Sequence, residues 1–276
     1  MYEFVGCFIR NSSDLRYVIS HVVKQLKAQH IVYAELTIAV ADYLEHGMKL
    51  PEVMDCLAEA AQQPGIHIQW IVDLGRMQGS QAALDLLNRI LTLECEHIAG
   101  ITLGGSECVP SPQQFTEVYH LAREHGLGVT IHAGETLGPE YIWQTLQVLH
   151  VQRIGHGVRV IEDQQLMKEL VAQSLPLDIC PTSTIWNTMF PTTQAYPLKS
   201  LIEAGVPITI NTDLPTFFDT TLADEYRYIA MATGIQADTI FEMLKNGFRY
   251  AFLPQEEIAA YLYDLEHAWQ QLVHSF

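Results

Sequence analysis

Short apolar runs alternate with longer stretches of helical periodicity along the whole chain. Residues 31–38, 67–74, 98–105, 128–135, 152–158, 175–180 and 207–213 form the apolar, β-branched runs that predict strands. Each run is nearly continuous in apolar residues, which is typical of parallel strands that are covered on both faces. Segments 14–29, 112–125 and 162–174 have apolar positions spaced by three and four, which predicts helices between the strands.

The regular alternation favours one domain over the whole of residues 1–276. The predicted strands begin at intervals of about 23 to 36 residues, and no Gly-, Ser- or Pro-rich linker separates them. A (β/α) barrel is favoured over a Rossmann sheet because no G-x-G-x-x-G follows any strand. The sequence therefore predicts an α/β fold, a TIM-type barrel that is incomplete, because seven strands are found where a closed barrel has eight. Segment 2–9 is open to two interpretations, a helix or a poor strand, and its central glycine favours the helix.

Composition narrows the class of partner. The chain has 276 residues, of which 49% are hydrophobic and 17% charged, so it can bury a substantial core. Its net charge of −17 argues against nucleic acid and against an anionic membrane surface, since both attract clusters of Lys and Arg.

Cysteine usage and hydropathy indicate the compartment. The five cysteines have no C-x-x-C spacing, so neither a disulfide scaffold nor a cysteine-based zinc site is expected. No apolar run reaches the roughly 18 residues that a membrane span requires. The amino terminus lacks the pattern of a signal peptide, and a cytoplasmic location is the expectation.

Candidate chemistry concentrates at the carboxyl ends of three predicted strands. In a (β/α) barrel the functional side chains lie at these ends, because the βα loops form the active face. Among the twelve histidines only His132 and His156 occupy such positions. Glu135 follows His132 within one motif, and Asp213 closes the last predicted strand. We therefore expect two imidazoles and two carboxylates to converge on one rim.

These residue types are those of a catalytic zinc site. Zinc is held by histidine and carboxylate ligands with one position left open, and a nearby acid or imidazole can move protons. The alternative is that the same residues satisfy buried backbone groups or form structural hydrogen bonds. The placement of the whole set on one rim, flanked by small residues, favours the zinc interpretation.

Four motifs resemble, in order and spacing, the adenosine deaminase family of metal-dependent purine deaminases. They are HAGE at 132–135, RIGHGVR at 153–159, CPTST at 180–184 and NTDLP at 211–215. ITLGGSE at 101–107 is similar to the family's short glycine motif, and 220–253 to its final segment. The resemblance covers nearly the whole chain. It implies a hydrolase of purine metabolism that takes a 6-aminopurine nucleoside or base as its small-molecule substrate.

The resemblance also implies a role for each matching residue. His132 and Asp213 correspond to zinc ligands, and Asp213 also accepts a hydrogen bond from the attacking water. Glu135 corresponds to the acid that protonates the purine ring, and His156 to the imidazole that orients and stabilises the attacking hydroxide. Gly105 corresponds to the glycine whose backbone contacts the purine.

Two departures from the family pattern qualify these expectations. The sequence contains no His-x-His, the pair that completes the family's zinc site at the end of a first strand, so that strand is expected to be missing and zinc binding to be weak. Leu214 stands where the family usually has a second aspartate that hydrogen-bonds the purine's imidazole ring. Adenosine itself is therefore a doubtful substrate.

Three hypotheses for the function follow. The leading one is an adenosine-deaminase-type hydrolase, either active or inactive in this form. The second is a catalytically dead relative retained for binding or assembly, which the missing ligand pair and Leu214 favour. The third and weakest is a hydrolase of the same metal-dependent superfamily that acts on another amine or amide.

Overall fold

A computed structural model describes residues 6–108, 110–187 and 196–274. The strands are β1 (Tyr33–Ala39), β2 (His67–Asp73), β3 (Ile98–Thr102), β4 (Gly128–Ala133), β5 (Arg153–His156), β6 (Leu177–Ile179) and β7 (Ile208–Ile210). The α-helices are α1 (Ser12–Ala28), α2 (Val40–Glu45), α3 (Leu50–Ala61), α4 (Ser80–Leu91), α5 (Thr116–Glu124), α6 (Pro139–Leu149), α7 (Gln164–Gln173), α8 (Pro181–Trp186), α9 (Leu198–Glu203), α10 (Pro215–Phe218), α11 (Leu222–Thr233), α12 (Ala237–Arg249) and α13 (Gln255–Val273). Short 3₁₀ helices cover Arg76–Gln78, Pro112–Phe115 and Val158–Glu162.

Helix boundaries follow from local capping chemistry. The side chain of Asn11 accepts hydrogen bonds from the backbone N–H groups of Ser13 and Asp14, and α1 begins directly after it. Thr221 and Asp224 form a reciprocal capping box at the start of α11. That helix ends at Gly234, whose φ of 68° is readily adopted by glycine.

The chain divides into two compact units, residues 1–131 with 148–150, and residues 132–147 with 151–276. In the first unit the strands pair in parallel in the order β1-β2-β3-β4, for example Tyr33 with His67 and Gly100 with Gly128. In the second unit β5, β6 and β7 also pair in parallel and in chain order. Parallel strands in chain order, with helices between them, confirm the predicted α/β organisation. The single domain stays a prediction.

Strand interiors are buried on both faces in each unit. In the first unit Ile68, Ile101 and Val129 have no exposed surface. In the second unit Ile154 and Leu177 are likewise completely buried. Each such side chain contributes about 1.5–3 kcal/mol through its removal from water. This burial is the reason why the strands are nearly continuous in apolar residues.

The predicted elements are found, but several strands are shorter than predicted. Each of the seven runs contains a strand, and the helices expected at 14–29, 112–125 and 162–174 are present, the second beginning with a 3₁₀ turn. The runs at 98–105, 128–135 and 207–213 extend two or three residues beyond the strand. Gly105, Gly134 and Asp213 in these extensions have positive φ, which is incompatible with a strand. Most of segment 2–9 lies outside the described residues.

Arg153, at the start of β5, joins the sheet to the segment after α12. Its guanidinium donates to the Tyr250 carbonyl at 2.9 Å and lies 3.9 Å from the centroid of the Phe252 ring. Its Nε is 3.4 Å from an Asp178 carboxylate oxygen. Because the side chain is nearly buried, we expect Arg153→Met to lower the free energy of unfolding by about 3 kcal/mol in urea denaturation.

The matched control for this prediction is Arg16→Met. Arg16 pairs with Glu59 at 2.7 Å, but both side chains are largely exposed, so the urea midpoint should not move. Equal midpoints for the two variants would contradict a stabilising role for Arg153.

Candidate active site

The two candidate histidines lie at the carboxyl ends of β4 and β5. His132 is the penultimate residue of β4 and His156 is the last residue of β5. Their ring centroids are 4.7 Å apart, and the ring planes are nearly perpendicular at 88°. The His156 side chain is almost completely buried, and its backbone has a left-handed φ of 62°. The structure therefore brings together the two histidines that the sequence singled out.

The Glu135 carboxyl group lies close to both imidazoles. Its Oε2 lies 3.8 Å from Nε2 of His156, and its Oε1 accepts a hydrogen bond of 3.1 Å from Nδ2 of Asn187. One nitrogen or oxygen atom from each of His132, Glu135 and His156 lies within 4.8 Å of the others. This group of three side chains is a candidate metal centre.

Two glycine turns allow the chain to pack closely around these residues. Gly134 and Gly157 have φ of 77° and 64°. A Cβ on Gly134 would lie 2.4 Å from Cδ1 of Ile142, and a Cβ on Gly157 would lie 2.5 Å from Cδ2 of Leu177. The backbone N–H of Arg159 also donates to the Gly134 carbonyl at 3.0 Å. Glycine is therefore required at positions 134 and 157 by conformation and by space.

Asp213 lies beyond the end of β7, outside the group of three. Its φ is 56°, its side chain is exposed, and its Oδ2 accepts a hydrogen bond of 2.5 Å from the Ser183 hydroxyl. The sequence predicted convergence of this carboxylate with the histidines. The structure instead gives Asp213 a serine partner of its own, and its role as a metal ligand stays a prediction.

The pKa of the buried Cys180 thiol is raised by burial and by nearby carboxylates. Burial raises the pKa of Cys180 well above its ordinary value, and the negative charges of Asp213, Asp178, Glu225 and Glu135 raise it further. The Cys180 thiol is therefore less acidic than that of an ordinary cysteine.

The donor set fits zinc. Zinc in catalytic sites is bound by imidazole nitrogens and carboxylate oxygens, with ligand atoms about 2.0–2.2 Å from the metal. The Nδ1 atom of His156 is buried and has no hydrogen-bond partner among the described residues. A buried ring nitrogen without a partner is costly in a purely structural histidine, so it favours a functional interpretation.

Gly105 belongs to the first unit, in the bend that follows β3. Its φ is 73°, and a Cβ at this position would meet only the Met77 side chain, at 4.0 Å. Arg76 holds the segment before it by donating to the Leu103 carbonyl at 2.6 Å. Glycine is therefore needed here for its backbone conformation, which leaves the peptide groups accessible to a ligand.

Sequence reasoning missed two residues that contact the candidate carboxylates. Ser183 lies inside the CPTST motif, but its partner Asp213 is 30 residues away. Asn187 lies outside every motif, and its partner Glu135 is 52 residues away. The two residues are four positions apart, which is the spacing of neighbours on one face of a helix. This spacing was the only available signal for their shared position on and directly after α8.

All five cysteines are thiols in the structure. Within the described ranges, no helix combines the length and the apolar character that crossing a membrane demands.

The sequence is similar to a known protein family and to several of its characterised members. The sequence model of the family described as Adenosine deaminase matches residues 1–267. The chain is 33% identical to an aminodeoxyfutalosine deaminase of Streptomyces coelicolor, over 92% of this chain and 67% of the relative. It is 31% identical to an adenine deaminase of Hahella chejuensis, over 90% of this chain and 75% of the relative.

A solved structure gives the same result for the fold. The crystal structure of an adenine deaminase from Arthrobacter aurescens superimposes with a TM-score of 0.91 at 25% identity, covering 98% of this chain and 83% of that one. The predicted fold class, an incomplete TIM-type (β/α) barrel, is confirmed by this similarity. The motifs, the arrangement of the histidines and the match over residues 1–267 lead to one conclusion: the chain belongs to the adenosine deaminase family and is an adenosine-deaminase-like hydrolase.

Proposed function

We propose that the protein is a zinc-dependent hydrolytic deaminase that removes the amino group of a 6-aminopurine compound and releases ammonia. The observation that carries the proposal is the group formed by His132, Glu135 and His156, whose ligand atoms lie within 4.8 Å of one another. The names of the relatives, adenine deaminase and aminodeoxyfutalosine deaminase, support a purine-type substrate.

His132 and Asp213 are the residues proposed to hold the metal. The alternative that the distances leave open is that Glu135 and His156 join His132 as ligands. When bound, zinc lowers the pKa of water and so makes a nucleophile available near neutral pH. The protein's part is to fix the donor atoms, as the hydrogen bond from Ser183 to Asp213 does.

Glu135 and His156 are proposed to handle the protons. Glu135 lies at the end of the turn after β4 with a mostly buried carboxyl group, and it would donate a proton to the purine ring nitrogen next to the carbon under attack. His156, rigidly held at the end of β5, would orient and stabilise the attacking hydroxide. Its almost complete burial, with Nε2 at 3.8 Å from Oε2 of Glu135, keeps the two groups in one arrangement.

Substrate choice is proposed to depend on Gly105 and Leu214. The peptide groups at Gly105 would contact the purine ring. Leu214, which precedes α10, has no acceptor for a hydrogen bond from the purine's imidazole ring. Because a missing polar contact lowers discrimination by orders of magnitude, adenosine itself is a doubtful substrate.

Ammonia release from a panel of purines tests this proposal. The zinc-loaded protein is incubated with adenine, adenosine and adenosine derivatives that carry other substituents on the sugar, and ammonia is measured with a coupled assay. We expect release from at least one compound, with adenosine not the best. Stoichiometric zinc without ammonia from any of them would contradict the proposal and favour a catalytically inactive relative.

Asp213→Asn is expected to lower both zinc affinity and kcat by about 10- to 100-fold, because the amide removes the negative charge that is proposed to hold the metal. Asparagine tolerates the left-handed backbone of this position, so the fold should be retained. Zinc affinity is measured by competition with a chromophoric chelator, and kcat from ammonia release.

Asp219→Asn is the matched control. Asp219 is also exposed and also has a positive φ, of 47°. Among the described residues, it forms no hydrogen bond or ion pair with the candidate site residues. Its zinc affinity and kcat should stay at the parent values. Equal losses in the two variants would show that Asp213 acts through general charge alone.

A further inference from the structure

We propose that the short helix α8 positions both carboxylates of the site, Asp213 through Ser183 and Glu135 through Asn187. The inference rests on the proposed function and names positioning residues for it. Ser183 lies within α8, and Asn187 directly follows α8 as its C-terminal capping residue. Each donates a side-chain hydrogen bond to one of the carboxylates, Asp213 or Glu135.

The first contact fixes Asp213. Ser183 is completely buried, and its hydroxyl donates its single hydrogen to Oδ2 of Asp213 at 2.5 Å. An exposed aspartate on a left-handed residue would otherwise rotate about its side-chain bonds. With Oδ2 held by Ser183, the carboxylate keeps one orientation, and Oδ1 is the oxygen left for another partner.

The second contact distinguishes the two oxygens of Glu135. Nδ2 of Asn187 is a donor, so Oε1 of Glu135 must be the acceptor in their 3.1 Å hydrogen bond. The other oxygen, Oε2, lies 3.8 Å from Nε2 of His156. The carboxyl group is thereby held with Oε1 toward Asn187 and Oε2 toward His156.

Helix α8 needs an anchor because it has only six residues, fewer than an isolated helix requires. Glu225 on α11 supplies one. Its fully buried carboxylate accepts from the backbone N–H of Thr182 at 3.0 Å and from the Thr220 hydroxyl at 2.8 Å. The beginning of α8 is therefore fixed from α11, and the hydrogen bonds of Ser183 and Asn187 start from a fixed base.

Zinc affinity tests the role of Ser183. Ser183→Ala removes the donor with little change in volume, and we expect about 10- to 100-fold weaker zinc binding in competition with a chromophoric chelator. Thr184→Val is the matched control, because the Thr184 hydroxyl is buried in the same helix but donates to the Cys180 carbonyl. Zinc binding that is equally weak in both variants, or unchanged in Ser183→Ala, would overturn this part of the proposal.

Steady-state kinetics test the role of Asn187. Asn187→Ala should lower kcat about 10-fold and leave KM and zinc affinity near the parent values, because it acts on the proton donor only. Asn187→Asp keeps the shape but replaces the donor by an acceptor, so its kcat should fall further. Asn187→Gln, which retains an amide donor, should recover part of the activity. A kcat for Asn187→Asp equal to that of the parent would overturn the proposal.

A crystal structure of the zinc-loaded Asn187→Ala variant gives a result that does not depend on turnover. We expect the Glu135 carboxyl group to rotate or to adopt more than one orientation when its donor is lost. A single, unchanged orientation would overturn the positioning role. If the parent protein released no ammonia, the proposed function would fail, whereas the zinc measurement and this structure would still decide whether α8 positions the two carboxylates.

Discussion

Replacing Glu135 with glutamine is expected to reduce kcat for ammonia release by about 10²- to 10⁴-fold while zinc content stays at the parent value. The amide has nearly the same shape and can still accept from Asn187, but it has no acidic proton to give to the purine ring. Ammonia release is measured with the best substrate of the purine panel, and zinc by elemental analysis after dialysis.

The same measurements distinguish the two possible roles of Glu135. Because its carboxylate lies in the group that can hold a metal ion, loss of zinc in Glu135→Gln would identify it as a ligand and contradict its assignment as the acid. Glu140→Gln is the control, since Glu140 is an exposed residue in the first turn of α6. We expect its kcat and its zinc content to equal those of the parent.

His132→Ala is expected to weaken zinc binding by at least about 100-fold, and ammonia release should fall in proportion. His132 is the one residue that belongs both to the group of three side chains and to the ligand pair that the family resemblance implies. The measurement is a zinc titration followed by chelator competition. Ammonia release is then compared at a zinc concentration that saturates the parent.

His120→Ala controls for the loss of an imidazole. His120 is exposed on α5 and lies 3.5 Å from Glu124 one turn away, so its removal should change neither zinc binding nor kcat. If His132→Ala bound zinc as tightly as His120→Ala, the metal centre would have to be assigned to other residues.

Most of the fold could be predicted from the sequence because burial on both faces leaves a strong pattern. The runs that contain β2 and β5 are apolar because residues such as Ile68 and Ile154 are covered on every side. The ends of strands were predicted less well. Apolar residues continue into the following bend, whereas the strand stops where Gly105, Gly134 or Asp213 adopts a positive φ.

The candidate site could be predicted only in part. The rule that strand ends carry the chemistry selected His132 and His156 from twelve histidines, and the structure places their rings 4.7 Å apart. The hydrogen bonds of Ser183 and Asn187 join residues that are 30 and 52 positions apart. Such contacts depend on how β4, β7 and α8 are arranged in three dimensions, and no local pattern encodes them.

The left-handed backbone of His156 has a consequence for directed evolution of this protein. A residue other than glycine in this conformation destabilises the native state by about 1–2 kcal/mol, and glycine would relieve that strain. Selection for heat tolerance alone would act against this strain without regard to the imidazole. A thermostability screen of this protein should accordingly include turnover at every round.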